Sequence, residues 1–225
     1  MLFIVEGITD KESLELLLTE LIKDNNQIIF ELAYGDITSD RGINSSNIKS
    51  KITDIIKGGG KRKFRPTDYR EIIHLVDMDG AFISEDNIYL DESLDEFSYR
   101  NEGIYANNIE KVIERNNRKQ QLLNLLCSTN IVYNSVPYRI FYFSSNLEHV
   151  LHNKIEIEEN LKIEYAEEFQ ERYIEDLEGF VSFICKSDFT VKKEYKESWD
   201  FIKRDNNSIK RYTNFNIILE DYLKL

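Results

Sequence analysis

Leu2-Phe3-Ile4-Val5-Glu6-Gly7 opens the chain, and Leu75-Val76-Asp77-Met78-Asp79-Gly80 repeats its plan further along. In each, a short apolar run stops abruptly at acid and glycine. The first run is too short and too apolar on both sides for a surface strand, which predicts a buried central strand of a parallel sheet. Glu6 then stands at that strand's C-terminal edge. Ile72-Ile73-His74-Leu75-Val76 has the same character and delivers Asp77 and Asp79 to a corresponding edge. Ligands of open α/β sheets gather there, above all where the strand order reverses. At the Asp77-Met78-Asp79 spacing, side chains at i and i+2 face the same way where extended chain bends into a loop. If the two strands are neighbours, Glu6, Asp77 and Asp79 make an oxygen-rich site for Mg²⁺ or Mn²⁺. Magnesium takes oxygen ligands, keeps several waters, and is held by one or two carboxylates plus a substrate phosphate.

Working outward, Thr9-Asp10-Lys11-Glu12 matches a helix capping box, and Leu14, Leu17, Leu18, Leu21 and Ile22 follow at helical spacing. That helix would bring free amides and positive dipole beside Glu6. Asp10, in its first turn, has two readings: compensation of the dipole, or a further site acid. Gln27 to Tyr34 reads as a second strand ended by Gly35-Asp36, and Ile48, Ile52, Ile55 and Ile56 mark an amphipathic helix that stops at Gly58-Gly59-Gly60. Residues 81–106 form a long acidic connection with aromatics, read as an insertion. Asn107-Asn108-Ile109-Glu110 opens a long helix with Val112, Leu123 and Leu126 inward and Arg115, Arg118 and Lys119 largely outward. Arg139 to Phe143 reads as a fourth core strand leading through Ser144-Ser145-Asn146-Leu147-Glu148 into a short helix. The expected fold class is α/β: a Rossmann-like parallel sheet of about four strands over residues 1–153, with a helical extension over 154–225.

Phe3-Ile4-Val5-Glu6-Gly7-Ile8-Thr9-Asp10 followed by a helix resembles the first motif of the Toprim domain, and Asp77-Met78-Asp79 resembles its second, the DxD. The resemblance spans roughly the first two-thirds of the chain. It implies a Toprim-like fold, with Glu6, Asp77 and Asp79 as metal ligands and catalytic acids and Asp10 as an associated acid. Glu148 is similar to the acid of an N-L-E-x-x-L stretch after the last strand of some nucleases of the family. It also fits a capping box with Ser145, and the two readings stand together.

The chain has 225 residues, enough for one good core, and a formal net charge of -12. Such a surface repels nucleic acid except at a local patch or through a metal. Cys127 and Cys185 lack paired spacing, so neither a disulfide framework nor a zinc site is indicated. With no apolar run near the ~20 residues of a membrane span and no basic leader, the expectation is a cytoplasmic protein without a membrane partner.

Lys61-Arg62-Lys63-Phe64-Arg65, with Lys57, is the one dense basic cluster. It suits a phosphate backbone, or is a solvated loop at the sheet edge opposite the acids. His149 and His152 fall at i and i+3, so both could face the site, although packing roles explain them without a metal; His74 reads as a core histidine. Around Trp199, Tyr195 and Tyr212, seven Lys and Arg residues between Lys192 and Arg211 suit single-stranded nucleic acid, yet a cap packing Trp199 against the sheet accounts for the aromatics.

The leading functional expectation is a Mg-dependent endonuclease acting on DNA or RNA. The resemblance points to small stand-alone nucleases of anti-phage defence, related to the overcoming-lysogenisation-defect type, which act beside a separately encoded ATPase. The chain itself lacks a P-loop. A homo-oligomer is compatible with this reading. The alternatives are a non-catalytic Toprim module binding nucleic acid or a protein partner, and a small ribosomal RNA maturation ribonuclease.

Overall fold

The computed structural model describes residues 1–22, 28–58 and 65–224. Leu2–Val5 (β1) leads through Ile8–Leu21 (α1) to Ile29–Leu32 (β2), then Ile48–Gly58 (α2) and Ile72–Asp77 (β3). Ile88–Leu90 (β4), Ser98–Arg100 (β5) and Gly103–Ala106 (β6) form a separate three-stranded sheet within the 81–106 insertion. Ile109–Cys127 (α3), Ile131–Tyr133 (β7), Val136–Ser144 (β8) and Leu147–His152 (α4) follow. The chain ends with Lys162–Ile174 (α5), Leu177–Lys186 (α6), Tyr195–Ile202 (α7), Tyr212–Thr213 (β9) and Asn216–Leu223 (α8).

The main sheet runs β2-β1-β3-β8-β7, with β9 also on β8. Its first four strands are parallel: Phe3 pairs with Phe30 on one side and Ile73 on the other, and Ile73 pairs with Arg139. The short strands β7 and β9 are antiparallel to β8. From β1 the chain steps to β2 on one side, then crosses to β3 on the other. The strand order therefore reverses between β1 and β3, where the acids converge.

Leu2, Phe3, Ile4 and Val5 are all fully buried, because both faces of β1 are covered. Phe3, Val5, Ile73, Leu75, Phe141 and Phe143 face a layer built by α1, α4, α5, α6 and α8. Leu2, Ile4, Ile72, Val76, Ile140 and Tyr142 face the opposite layer, which includes α2, α3 and α7. Each fully buried aliphatic or aromatic side chain contributes on the order of 1.5–3 kcal/mol. Residues 154–225 enter both layers: Phe169, Phe180 and Ile218 join the first, while Trp199 packs edge-on against Tyr142 at 5.1 Å in the second. This segment also adds strand β9, so it is more than a helical extension. None of the helices is long and apolar enough to cross a membrane among the described residues.

Candidate functional site

The loop ending β1 is shaped by a backbone cap. Helix α1 begins at Ile8 with Gly7 as its N-cap, and Asp10 reaches back so that its Oδ2 accepts the Gly7 N–H at 2.9 Å. The expected Thr9–Glu12 capping box is thus replaced by an acid of the first turn, which also keeps Asp10 beside Glu6. Across the reversal point, the Asp77 N–H donates to Glu6 Oε1 at 3.3 Å.

The Asp77-Met78-Asp79 segment is held by the chain that follows β8. Met78 N–H donates to the carbonyls of Phe143 (3.0 Å) and Ser145 (2.9 Å), and Asp79 N–H donates to Ser145 at 2.8 Å. Asp79 adopts φ 47° and Gly80 φ 65°, so the two carboxylates reach one cleft through a left-handed turn rather than by simple extended alternation. At Gly80 a Cβ would meet Ile104 Cδ1 at 3.1 Å and Ile209 Cδ1 at 3.3 Å; its N–H donates to Ser208 O at 2.9 Å. Glycine is required both by the backbone angle and by this close packing.

Glu6, Asp10, Asp77, Asp79 and Glu148 line a single cleft of about 690 Å³ at the C-terminal edge of the sheet. Glu148 is buried in the first turn of α4, whose N-cap is Asn146, not Ser145: Asn146 Oδ1 accepts the His149 N–H at 2.8 Å. The capping-box explanation of Glu148 therefore falls away. Lys162 Nζ lies 3.9 Å from Glu148 Oε1. Asp77 Oδ1 accepts the Leu147 N–H at 3.1 Å, tying β3 to the start of α4. Tyr34, 88% exposed, stands on the rim. A second cavity of about 490 Å³ shares Asn146, Glu148 and Lys162 with the first and carries Phe97 and Tyr99 on its wall. The two make one trough running from the acids onto the insertion.

The electrostatics follow from this crowding. Desolvation, together with the neighbouring carboxylates of Asp36, Asp79 and Asp10, pushes Glu6 well above the usual carboxylate range, against the pull of Lys119. Asp77 is raised for the same reasons: burial first, then Glu6, Asp10, Asp79 and Glu148. Burial pushes Asp10 up to about 7, with the Gly7 N–H opposing.

Three residues around Asp79, namely Lys119, Arg115 and Asp36, had no sequence signal as parts of the site. Lys119, expected to point outward with Arg115, is fully buried; its Nζ donates to Asp36 Oδ2 at 2.7 Å and Asp79 Oδ2 at 2.5 Å. Arg115 is 8% exposed, with Nη1 3.9 Å from the same Asp79 oxygen and its guanidinium 5.5 Å from the centre of the Phe97 ring. Asp36 follows β2, and its Oδ1 accepts from the Thr38 N–H (2.7 Å), the Thr38 hydroxyl (2.6 Å) and the Ser39 N–H (3.2 Å). Only Arg118 keeps part of the expected exposure, and its Nε donates to Ser39 O at 3.1 Å.

The histidines are packing residues and do not line the cleft. His149 is buried, and its Nδ1 accepts the Ser145 N–H at 3.1 Å. His152 lies edge-on to Tyr165 and Phe169. His74 Nδ1 pairs with the Tyr138 hydroxyl at 2.8 Å, while its Nε2 has no partner among the described residues. In the basic cluster, Lys61, Arg62 and Lys63 lie outside the described residues. Lys57, at the end of α2, and Arg65, before β3, are exposed and belong to the N-terminal edge of the sheet, opposite the acids.

Five carboxylates around one cleft are chemically suited to a hard divalent cation, whose charge would offset the burial and the mutual repulsion that raise Glu6 and Asp77. As they stand, no three His, Cys, Asp or Glu side chains among the described residues are grouped to hold a metal ion. No protein-family model, curated protein or solved structure matches the chain.

Proposed function

We propose that the protein is a metal-dependent nuclease of Toprim type, hydrolysing phosphodiester bonds of DNA or RNA at the cleft between β1 and β3. One observation carries this reading: Glu6, Asp77 and Asp79, with Asp10 and Glu148, line one cleft at the point of strand-order reversal. Glu6, Asp77 and Asp79 would hold Mg²⁺ or Mn²⁺. A bound divalent ion supplies charge stabilisation for the phosphoryl oxygens and an acidified water.

The chain's own groups have definable parts. Asp77 and Asp79 would be ligands, and Glu6, whose carboxyl is disposed to hold a proton, would be a further ligand or the general base. Lys162 lines both cavities and sets a positive charge beside the acids, suited to a substrate phosphate. Tyr34 offers an exposed ring to a base at the rim, and Phe97 and Tyr99 line the wall further along. A defence setting, with a separately encoded ATPase, rests on the family resemblance alone.

The test is a Mg²⁺ and Mn²⁺ titration against labelled supercoiled DNA, single-stranded DNA and total transfer RNA, with Asp77→Asn as control. Metal-dependent cleavage lost in the variant supports the reading; equal cleavage by the variant overturns it. A second reading, a non-catalytic module binding nucleic acid or protein, draws on the engagement of Asp79 by Lys119 and Arg115. It expects no cleavage under any metal, with the fold intact.

A further inference from the structure

The acids of the cleft are not equally supplied with positive charge. Asp79 Oδ2 is met by Lys119 at 2.5 Å and Arg115 at 3.9 Å. Glu6, Asp10 and Asp77 have no lysine or arginine nitrogen within ion-pair distance among the described residues, and Glu148 has only Lys162 at 3.9 Å. One half of the cluster is compensated by the protein's own cations; the other half has no such partner among the described residues.

The compensated half is built rather than incidental. Lys119 has no exposed surface, so its ammonium was taken wholly out of water, a cost recovered only with excellent geometry and full hydrogen bonding. That geometry is present: Nζ bridges Asp36 Oδ2 and Asp79 Oδ2, residues that follow β2 and β3. Asp36 has nothing left over, because its second oxygen already accepts three donors from Thr38 and Ser39.

Catalytic sites with two metal ions use a pair of cations about 3.5–4 Å apart to clamp the attacking and leaving oxygens. We propose that Lys119 is a resident cation in the second of these positions, so that the site takes one divalent ion and not two. This rests on the nuclease reading of the cleft. It makes Lys119 a positioning residue: it fixes Asp79 through Oδ2, and Asp36 serves to hold Lys119 and ligates nothing.

The test counts metal ions rather than turnover. Isothermal titration with Mn²⁺, followed by electron paramagnetic resonance, should give one ion per wild-type chain and a spectrum without metal–metal coupling. Lys119→Met should admit a second Mn²⁺ and produce a coupled spectrum. Because methionine leaves Asp36 unpaired, Lys119→Gln is the second variant: its amide can still donate to Asp36, and it should also bind two. Two ions in the wild type, or one in a folded variant, overturns the inference while leaving a metal nuclease intact. No bound ion at all overturns this inference and the nuclease reading together.

Discussion

The Asp77 N–H donates to Glu6 Oε1 across 3.3 Å, joining the ends of β3 and β1 where the strand order of the sheet reverses. The contact places two carboxylates with elevated proton affinity side by side in a partly desolvated cleft. Glu6→Gln and Asp77→Asn each keep an acceptor oxygen while removing a charge. Each should lower metal-dependent cleavage by at least about 100-fold. Each should also raise the melting temperature of the metal-free protein by about 2–4 °C, the equivalent of roughly 1 kcal/mol of relieved repulsion. Cleavage assays beside thermal unfolding in chelator check both effects.

Asp10 gives the site a pH signature. Its carboxyl is pushed up to about 7 in the fold against 3.8 in the unfolded chain, so the native state binds its proton first. This contribution is fully present below pH 3.8 and is lost as pH rises through about 7. His149 works in the opposite direction, being lowered to about 4 by burial and by Arg211; its contribution is present above pH 6.5 and is lost as pH falls toward 4. Asp10→Asn retains the acceptor for the Gly7 N–H. Its stability relative to the wild type should therefore be greatest above pH 7 and shrink as pH falls to 5, measured by urea unfolding of the metal-free protein across that range.

Tyr34 is exposed on the rim of the cleft at φ 57°, in a turn held by the Ala33 N–H on Val5 O (2.8 Å) and the Gly35 N–H on Glu6 O (2.9 Å), with its ring free of the core. Stacking of a base on its ring would contribute about 1–3 kcal/mol. Tyr34→Ala should weaken binding of single-stranded DNA or RNA about 5- to 100-fold at fixed salt without altering the melting temperature. Fluorescence anisotropy with a catalytically inactive Asp77→Asn background measures this directly.

At the opposite edge, Arg139 donates through Nε and Nη2 to Glu71 (2.5 and 3.1 Å) and through Nη1 to Asp221 (2.7 Å). The Tyr222 hydroxyl donates to the same Glu71 at 2.5 Å, so the network docks α8 against the start of β3. Glu71 is 6% exposed, and removing its partner leaves a nearly buried carboxylate. Arg139→Met should cost about 3 kcal/mol in chemical denaturation and leave metal binding at the distant cleft unchanged.

Much of the architecture was legible because its signals are local. Runs such as Leu2–Val5 and Ile72–Val76 are short, apolar on both faces and ended by acid, a pattern that a strand buried on both sides produces by itself. The second strand and the two amphipathic helices flanking it announced themselves by periodicity. Helix caps were less legible, since several nearby polar residues compete for the same backbone donors. Thr9 and Ser145 fit the pattern, but Asp10 and Asn146 make the bonds.

The sequence by itself determined that carboxylates would sit at strand ends and that a parallel sheet would carry them, because both follow from patterns a few residues long. Only the tertiary structure decided which strands are neighbours, that Asp10 and Glu148 share the cleft with Glu6, Asp77 and Asp79, and that Lys119 faces inward. Lys119 lies in a stretch of α3 rich in charge, where a solvated face is the ordinary outcome. Its buried position is stabilised by Asp36 and Asp79, which lie 83 and 40 residues away in the chain. An ion pair closed over such separations leaves no local pattern, because neither partner's neighbours record that the other exists until the sheet has brought them together.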